Sequence, residues 1–373
     1  MLCRAGWLPR LTSPQHSRRS SNARVGVIAL SWIQGEKMTK WTVFLMLVFS
    51  CFAVSGWCQD SAPLKLVQTY TLHPDIKGNF DHFAIDLKGG RLFATPEDFK
   101  AVLVFDVRNG KLIHTIGGIE RPHAVLFRED LSRLYITDGE AGDLKVFDSN
   151  TYKLLSSVKL LEDADSIGFD PATKFLYIDN GGGDVHETYS MMSVVDTTAG
   201  KKLADIKIDG DTLEAMALEK SSTKLYVNNK AKSRVDVIDR EKRALVASWP
   251  VTKCKTNVAI ALDEANHRLF VACRSGAISV LDTQSGKEVT ALPITKGVDD
   301  MIYDPASKRI YAACDGDASV YEQSGPDNYK LLGNVPTGPV GRTALLVPQL
   351  KRYFVAVPKH GAEAARVLVF EIH

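Results

Sequence analysis

Across residues 83–116 apolar and polar positions alternate in four short runs. The first ends at Asp86, and 91–94, 102–106 and 111–116 follow, rich in aromatic and β-branched residues. Lys88-Gly89-Gly90 and Arg108-Asn109-Gly110 punctuate the runs as turns. The pattern predicts a four-stranded antiparallel meander. Such a sheet leaves two edges and two faces open and is not stable alone.

The pattern recurs. The core residue of the second strand falls at Leu92, Leu134, Leu176, Leu225, Leu269, Ile310 and Tyr353, with steps of 42, 42, 49, 44, 41 and 43 residues. Six positions before each anchor lies a turn residue, Asp86, Arg128, Asp170, Glu219, Asp263, Asp304 and Val347. A strand such as Val146-Phe147-Asp148 or Ser279-Val280-Leu281-Asp282 follows each anchor. Seven matches at this period predict an all-β fold of seven radially arranged four-stranded blades, a β-propeller. The last repeat has room for only three strands before His373, and 64–72 can supply the fourth. That pairing closes the ring and removes two edges, whereas a solenoid has no need of a split terminal repeat.

The segments LYVNNKAKSRVDVIDREKRALVASWPV (225–251) and LFVACRSGAISVLDTQSGKEVTALPI (269–294) resemble the YVTN-type propeller repeat of bacterial YncE-like proteins. The tetrapeptide survives in degraded form as Tyr226-Val227-Asn228-Asn229 and Tyr135-Ile136-Thr137-Asp138. The resemblance covers about 64–373 and implies the architecture, with no sharper function than binding. No repeat has the Gly-His start and Trp-Asp end of WD40 blades.

The first 58 residues differ from the rest. Met38-Thr39-Lys40 precedes an uncharged apolar run at 41–54 and the small residues Ser55-Gly56, the pattern of a signal peptide too short to span a bilayer. Residues 1–37 read as an upstream extension ahead of the true start at Met38, leaving 59–373 as the propeller domain. The chain is therefore expected to be exported, to the periplasm or beyond, with no transmembrane segment after signal removal, and monomeric. Residues 1–58 hold seven Lys/Arg and one Glu, so the remainder carries 39 basic and 43 acidic residues. That balance disfavours nucleic acid as a partner. Of the domain's three cysteines, Cys254 is within reach of Cys273 at one end of the fifth blade, while Cys273 and Cys314 occupy equivalent sites on separate blades. Burial as small apolar residues is the alternative for all three.

Meander polarity puts the residues opening each first strand around the axial channel. Five positions before the turn residues lie Asp81, His123, Asp165, Glu214, Val258, Asp299 and Arg342, with His82, Asn257 and Asp300 beside them. Asp81, Asp165, Glu214 and Asp299 converge on one axis, and crowded carboxylates call for a cation or an arginine. A calcium-like divalent cation is the cofactor this ring suggests; a water-filled mouth needs none. The longest loop joining second and third strands, around Gly181-Gly182-Gly183, carries His186 and Tyr189 as further ligand-binding candidates, or is merely an extended hairpin. Motifs G-x-S-x-G, HExxH, CxxCH and the P-loop are missing, and Trp249 is the only tryptophan beyond the leader, unlike Trp-rich quinoprotein blades. The leading expectation is a non-catalytic binding or scaffold module engaging a protein or small-molecule ligand of the cell envelope at the channel mouth. The alternative is a metal-assisted lactonase-type hydrolase using the carboxylate ring, with His82 or His123 as base; a redox role lacks haem and quinone signatures.

Overall fold

A computed structural model describes residues 62–373; the expected upstream extension (1–37) and expected signal peptide (38–58), with Cys3, Cys51 and Cys58, lie outside them. The first blade comprises strand A, Phe80–Asp86, strand B, Arg91–Pro96, strand C, Val102–Asp106, and strand D, Leu112–Ile116. Six further four-stranded antiparallel sheets repeat this order, and the A strands pack side by side around the axis, the last against the first. The fold is the seven-bladed propeller the repeat predicts. Blade 7 contains Thr343–Val347, Arg352–Val357 and Arg366–Ile372, and Leu64–Thr71 pairs with the last of these from Leu64↔Ile372 to Thr71↔Arg366.

All seven anchors are 0% exposed. The core is a set of layers between neighbouring blades: Phe93 and Val104 of blade 1 meet Val125, Leu134 and Phe147 of blade 2, and Tyr70 and Phe354 of blade 7 meet Phe105 of blade 1. Truncating one anchor to Ala would cost about 2–5 kcal/mol. Six of the seven turn residues end an A strand, and Glu219 follows the end of Leu213–Leu218.

The long third step has two sources. The loop after Phe175–Gly181 forms a short 3-10 turn at Gly182–Val185, and strands Tyr189–Asp196 and Lys201–Asp209 have 8 and 9 residues, against 6 and 6 in blade 2. The glycine-rich loop alone therefore does not account for the insertion. Cys254 and Cys273 form a disulfide, and Cys314 is free and buried. Among the described residues no helix is long and apolar enough to cross a membrane.

Candidate functional site at the axial mouth

Local sequence aims the A-strand openings into the channel. In blades 1, 2, 4 and 5 the A–B pairing slips where strand A begins, between Phe80/Phe83, Pro122/Val125, Leu213/Met216 and Asn257/Ala259. Such bulges re-aim side chains at sheet ends. A hydroxyl three residues after the anchor fills the first two: Thr95 Oγ1 accepts from the His82 N–H and donates to His82 O, and Thr137 Oγ1 does the same for Ala124. Asp81, His82 and His123 are fixed by this backbone arrangement.

The mouth holds a cavity of about 380 Å³. One arc alternates carboxyls and imidazoles. His123 Nδ1 lies 2.6 Å from Asp81 Oδ2 and 3.8 Å from Asp165 Oδ1. His82 Nε2 is 3.6 Å from Asp81 Oδ1, and its Nδ1 3.6 Å from Asp300 Oδ1. Asp300 in turn accepts from the Ala344 N–H at 2.7 Å. A Cβ at Gly139 would stand 2.6 Å from the His123 ring, so glycine lets the imidazole lie against the loop backbone, with Nε2 buried and without a partner.

Electrostatics follow from this order. Burial pushes the His123 imidazole down, but the Asp81 bond and the Asp165 charge outweigh it and hold its pKa up at about 9. His82 is raised well above its ordinary range, burial again being outweighed by Asp81 and Asp300. For Asp81 burial is overcome by His82 and His123, leaving it at about 2. Asp165 goes the other way, to about 8, through burial and the Asp81 charge, only partly offset by His123. Asp179, three residues after its anchor where blades 1 and 2 carry threonine, is 3% exposed and raised by burial and by Asp165.

The opposite arc is closed on itself. Lys230 is bonded to Glu214; Arg274 Nη2 lies 2.5 Å from Asp299 Oδ1, and Arg342 Nε 3.2 Å from Asp299 Oδ2. Arg121 sits 3.5 Å from Glu97 and 3.9 Å from Asp184 at the rim. Asp163 and Asp211 line the cavity with no salt bridge, and Asp165 faces only His123, so acid gathers on the blade 3 side.

The structure thus brings Asp81, His82, His123, Asp165, Glu214, Asp299 and Arg342 around the mouth. The four-carboxylate ring divides: Glu214 and Asp299 carry their own cations, and the group able to hold a metal is Asp81, His82 and Asp165, with ligand atoms within 4.8 Å of one another. Asn257 is 1% exposed and donates to Asn228 Oδ1 and Arg234 O, locking blade 5 to blade 4. The glycine-rich loop sends Gly183 and Asp184 to the cavity; His186 is exposed at the end of its turn, and Tyr189 lies beneath the Lys207 ammonium, 3.3 Å from the ring centroid. Sequence reasoning missed Glu97, Lys230 and Arg274, although all three stand five residues after an anchor.

No family model matches the chain. Over 120 residues it is 30% identical to the uncharacterized protein YncE of Salmonella typhimurium and 29% to that of Salmonella typhi, in each case 32% of this chain. The chain thus spans about a third (34%) of the length of these curated relatives. Solved structures with the same fold include a chain of the Mitotic Checkpoint Complex (TM-score 0.67, 12% identity, 94% of this chain and 99% of that one) and U3-55K (0.65, 10%, 81% and 98%). Hydrazine synthase of Kuenenia stuttgartiensis gives 0.63 at 17% identity, covering 78% and 98%. Identities this low carry the fold alone. The chain is a seven-bladed β-propeller with weak similarity to YncE proteins over a third of its length.

Proposed function

We propose that this propeller is an exported, non-catalytic binding module whose axial mouth takes a small polar ligand presenting positive charge. The observation that carries the reading is the acid surplus on one side of the cavity: Asp163 and Asp211 line it without a salt bridge, while the opposite arc is neutralised. Carboxylates crowded at a half-enclosed mouth without a counter-charge repel one another, and a ligand cation relieves that repulsion. Export is supported by the Cys254–Cys273 bond, of a kind that persists in oxidising compartments.

Isothermal titration of the purified protein with putrescine, lysine methyl ester and calcium tests the reading. Saturable binding of at least one, weakened on the order of tenfold in Asp163→Asn/Asp211→Asn, is expected. Absence of binding by all three, or binding indifferent to the double substitution, overturns it.

A second reading, a metal-assisted lactonase, draws on the grouping of Asp81, His82 and Asp165. Two carboxylates and an imidazole suit a divalent ion acting as Lewis acid on a lactone carbonyl. Metal analysis before and after chelation, followed by a lactone panel with His82→Ala, separates this reading from the first.

A further inference from the structure

The axial mouth has two walls of opposite sign. Its cavity, about 380 Å³, lies at the small end of the range of about 300–1,000 Å³ usual for small-molecule sites. One wall comes from the loops leading to blades 3 and 4, where Asp163 and Asp211 have no salt bridge and Asp165 has only His123. At the rim Arg121 is outnumbered by Glu97 and Asp184. Across the ring the balance reverses. Arg274, which follows strand Arg268–Cys273 of blade 5, and Arg342, which precedes strand Thr343–Val347 of blade 7, both reach the one carboxylate of Asp299. Two guanidiniums against one carboxylate leave a positive charge over. Lys230 and Glu214 pair one to one and alter neither wall.

Hydrogen-bonding capacity divides the same way. Asp299 engages only part of either guanidinium, Nη2 of Arg274 and Nε of Arg342. Nε of Arg274 is buried with no hydrogen-bond partner, and neither Nη of Arg342 is hydrogen-bonded among the described residues. Across the cavity the atoms left over are acceptors instead. Asp165 Oδ1 and, behind it, Asp179 Oδ1 are buried without a hydrogen-bond partner. The Asp165 N–H donates to Asp179 O at 3.0 Å, which fixes the two acids side by side. Asp299 holds both arginines in place, so their free N–H groups are set before a ligand arrives.

Resting on the binding role proposed above, we infer that the ligand is a zwitterion of the amino-acid class that bridges the two walls: its carboxylate lies between Arg274 and Arg342, and its ammonium faces Asp163 and Asp211. A planar guanidinium fork matches a carboxylate, and hydrogen bonds between charged partners are about twice as strong as neutral ones. A plain cation satisfies one wall and meets the surplus guanidinium as a like charge. A plain anion satisfies the other and meets the unpaired acids. Selection rests on that repulsion as much as on the attraction. The cavity volume keeps the ligand small, a free amino acid or dipeptide rather than a protein chain.

The test is isothermal titration of the purified protein with zwitterions of increasing span: glycine, glycylglycine, 4-aminobutanoate and 6-aminohexanoate. The methyl ester of the tightest binder is the cation-only control, and its N-acetyl derivative the anion-only control. Saturable binding of at least one zwitterion is expected, with each control at least tenfold weaker. Arg342→Gln should weaken the zwitterion on the order of tenfold, about 1.4 kcal/mol, without weakening the ester. Asp163→Asn/Asp211→Asn should weaken zwitterion and ester alike and spare the N-acetyl derivative. Arg274→Gln, with its melting temperature checked, repeats the first comparison should Arg342→Gln fail to fold. An ester as tight as its zwitterion, cations bound where no zwitterion binds, or undiminished zwitterion binding in a folded Arg342→Gln or Arg274→Gln protein would each overturn the zwitterion assignment and leave the cation-binding role standing. Failure of every zwitterion together with putrescine, lysine methyl ester and calcium overturns both.

Discussion

Reducing the Cys254–Cys273 bond should lower stability by an amount the chain itself sets. The two residues are 19 apart, one in the loop leading to blade 5 and one ending its strand Arg268–Cys273. Freeing a loop of that length returns about 3 kcal/mol of chain entropy to the unfolded state. Both side chains are buried, 6% and 0% exposed, beside Tyr226, Val251 and Val271, so the thiols stay in an apolar layer after reduction and the packing loss is small. With an unfolding entropy of about 2.1 cal/mol/K per residue over roughly 310 residues, ~3 kcal/mol corresponds to a fall in Tm of roughly 5 °C. The assay is calorimetry on protein refolded from denaturant with and without a phosphine reductant, alkylation in denaturant reporting the thiols left free. Coincident melts within about 1 °C, with alkylation showing an intact bond in one sample only, would refute the entropy reasoning. A bond that never forms in protein recovered from an oxidising compartment would remove the support it lends to export.

Alkali should destabilise the mouth. His123, held at about 9 against an ordinary 6.5, contributes stability that is complete below 6.5 and lost as pH rises through 9. Asp165 acts in the same direction, because its folded form keeps a proton up to about 8 that the unfolded chain releases near 3.8. Tm should therefore fall between pH 6 and pH 9.5, less steeply in His123→Gln; a flat or rising profile contradicts the assignment. Gly182→Ala should cost more than about 2 kcal/mol by urea denaturation, since residue 182 has φ +81° and a Cβ there would stand 2.2 Å from Asp211 O; a cost under about 1 kcal/mol would mean that the loop relaxes freely. Deleting residues 62–72 strips buried Leu64, Tyr70 and Leu72 from the closing blade and should cost about 5 kcal/mol or more, at 1.5–3 kcal/mol for each large side chain; an unchanged melt would show that the strand is dispensable.

The repeat made the fold legible because its anchor is both periodic and fully buried. Leu92 and its six equivalents cannot be polar without breaking a layer between blades, so each copy keeps the signal. Position along a strand also told which residues open toward the axis: Asp81, His123, Asp165 and Asp299 are found there. What sequence spacing did not convey is who neutralises whom. Lys230 and Arg274 come from loops between strands B and C and reach carboxylates of strand A, through rotamers that no spacing dictates. Asn257 shows the same limit: it stands where the repeat expects a mouth residue, yet the bulge at Asn257/Ala259 turns it inward to Asn228.

The pairing of Leu64 with Ile372 sets the order in which the molecule can be finished. Six blades are each made from one contiguous stretch and can assemble as soon as that stretch is available. The seventh takes its outer strand from the beginning of the described chain and the rest from its end, so that outer strand waits unpaired for about 300 residues of synthesis. Closing so long a loop adds little free energy, since the cost grows only logarithmically with length, but it makes joining the last event. A chain stopped before Arg366 would keep six sound sheets and two open edges. Completion of the ring is therefore a length check on the polypeptide, read out as the loss of its last sticky strand.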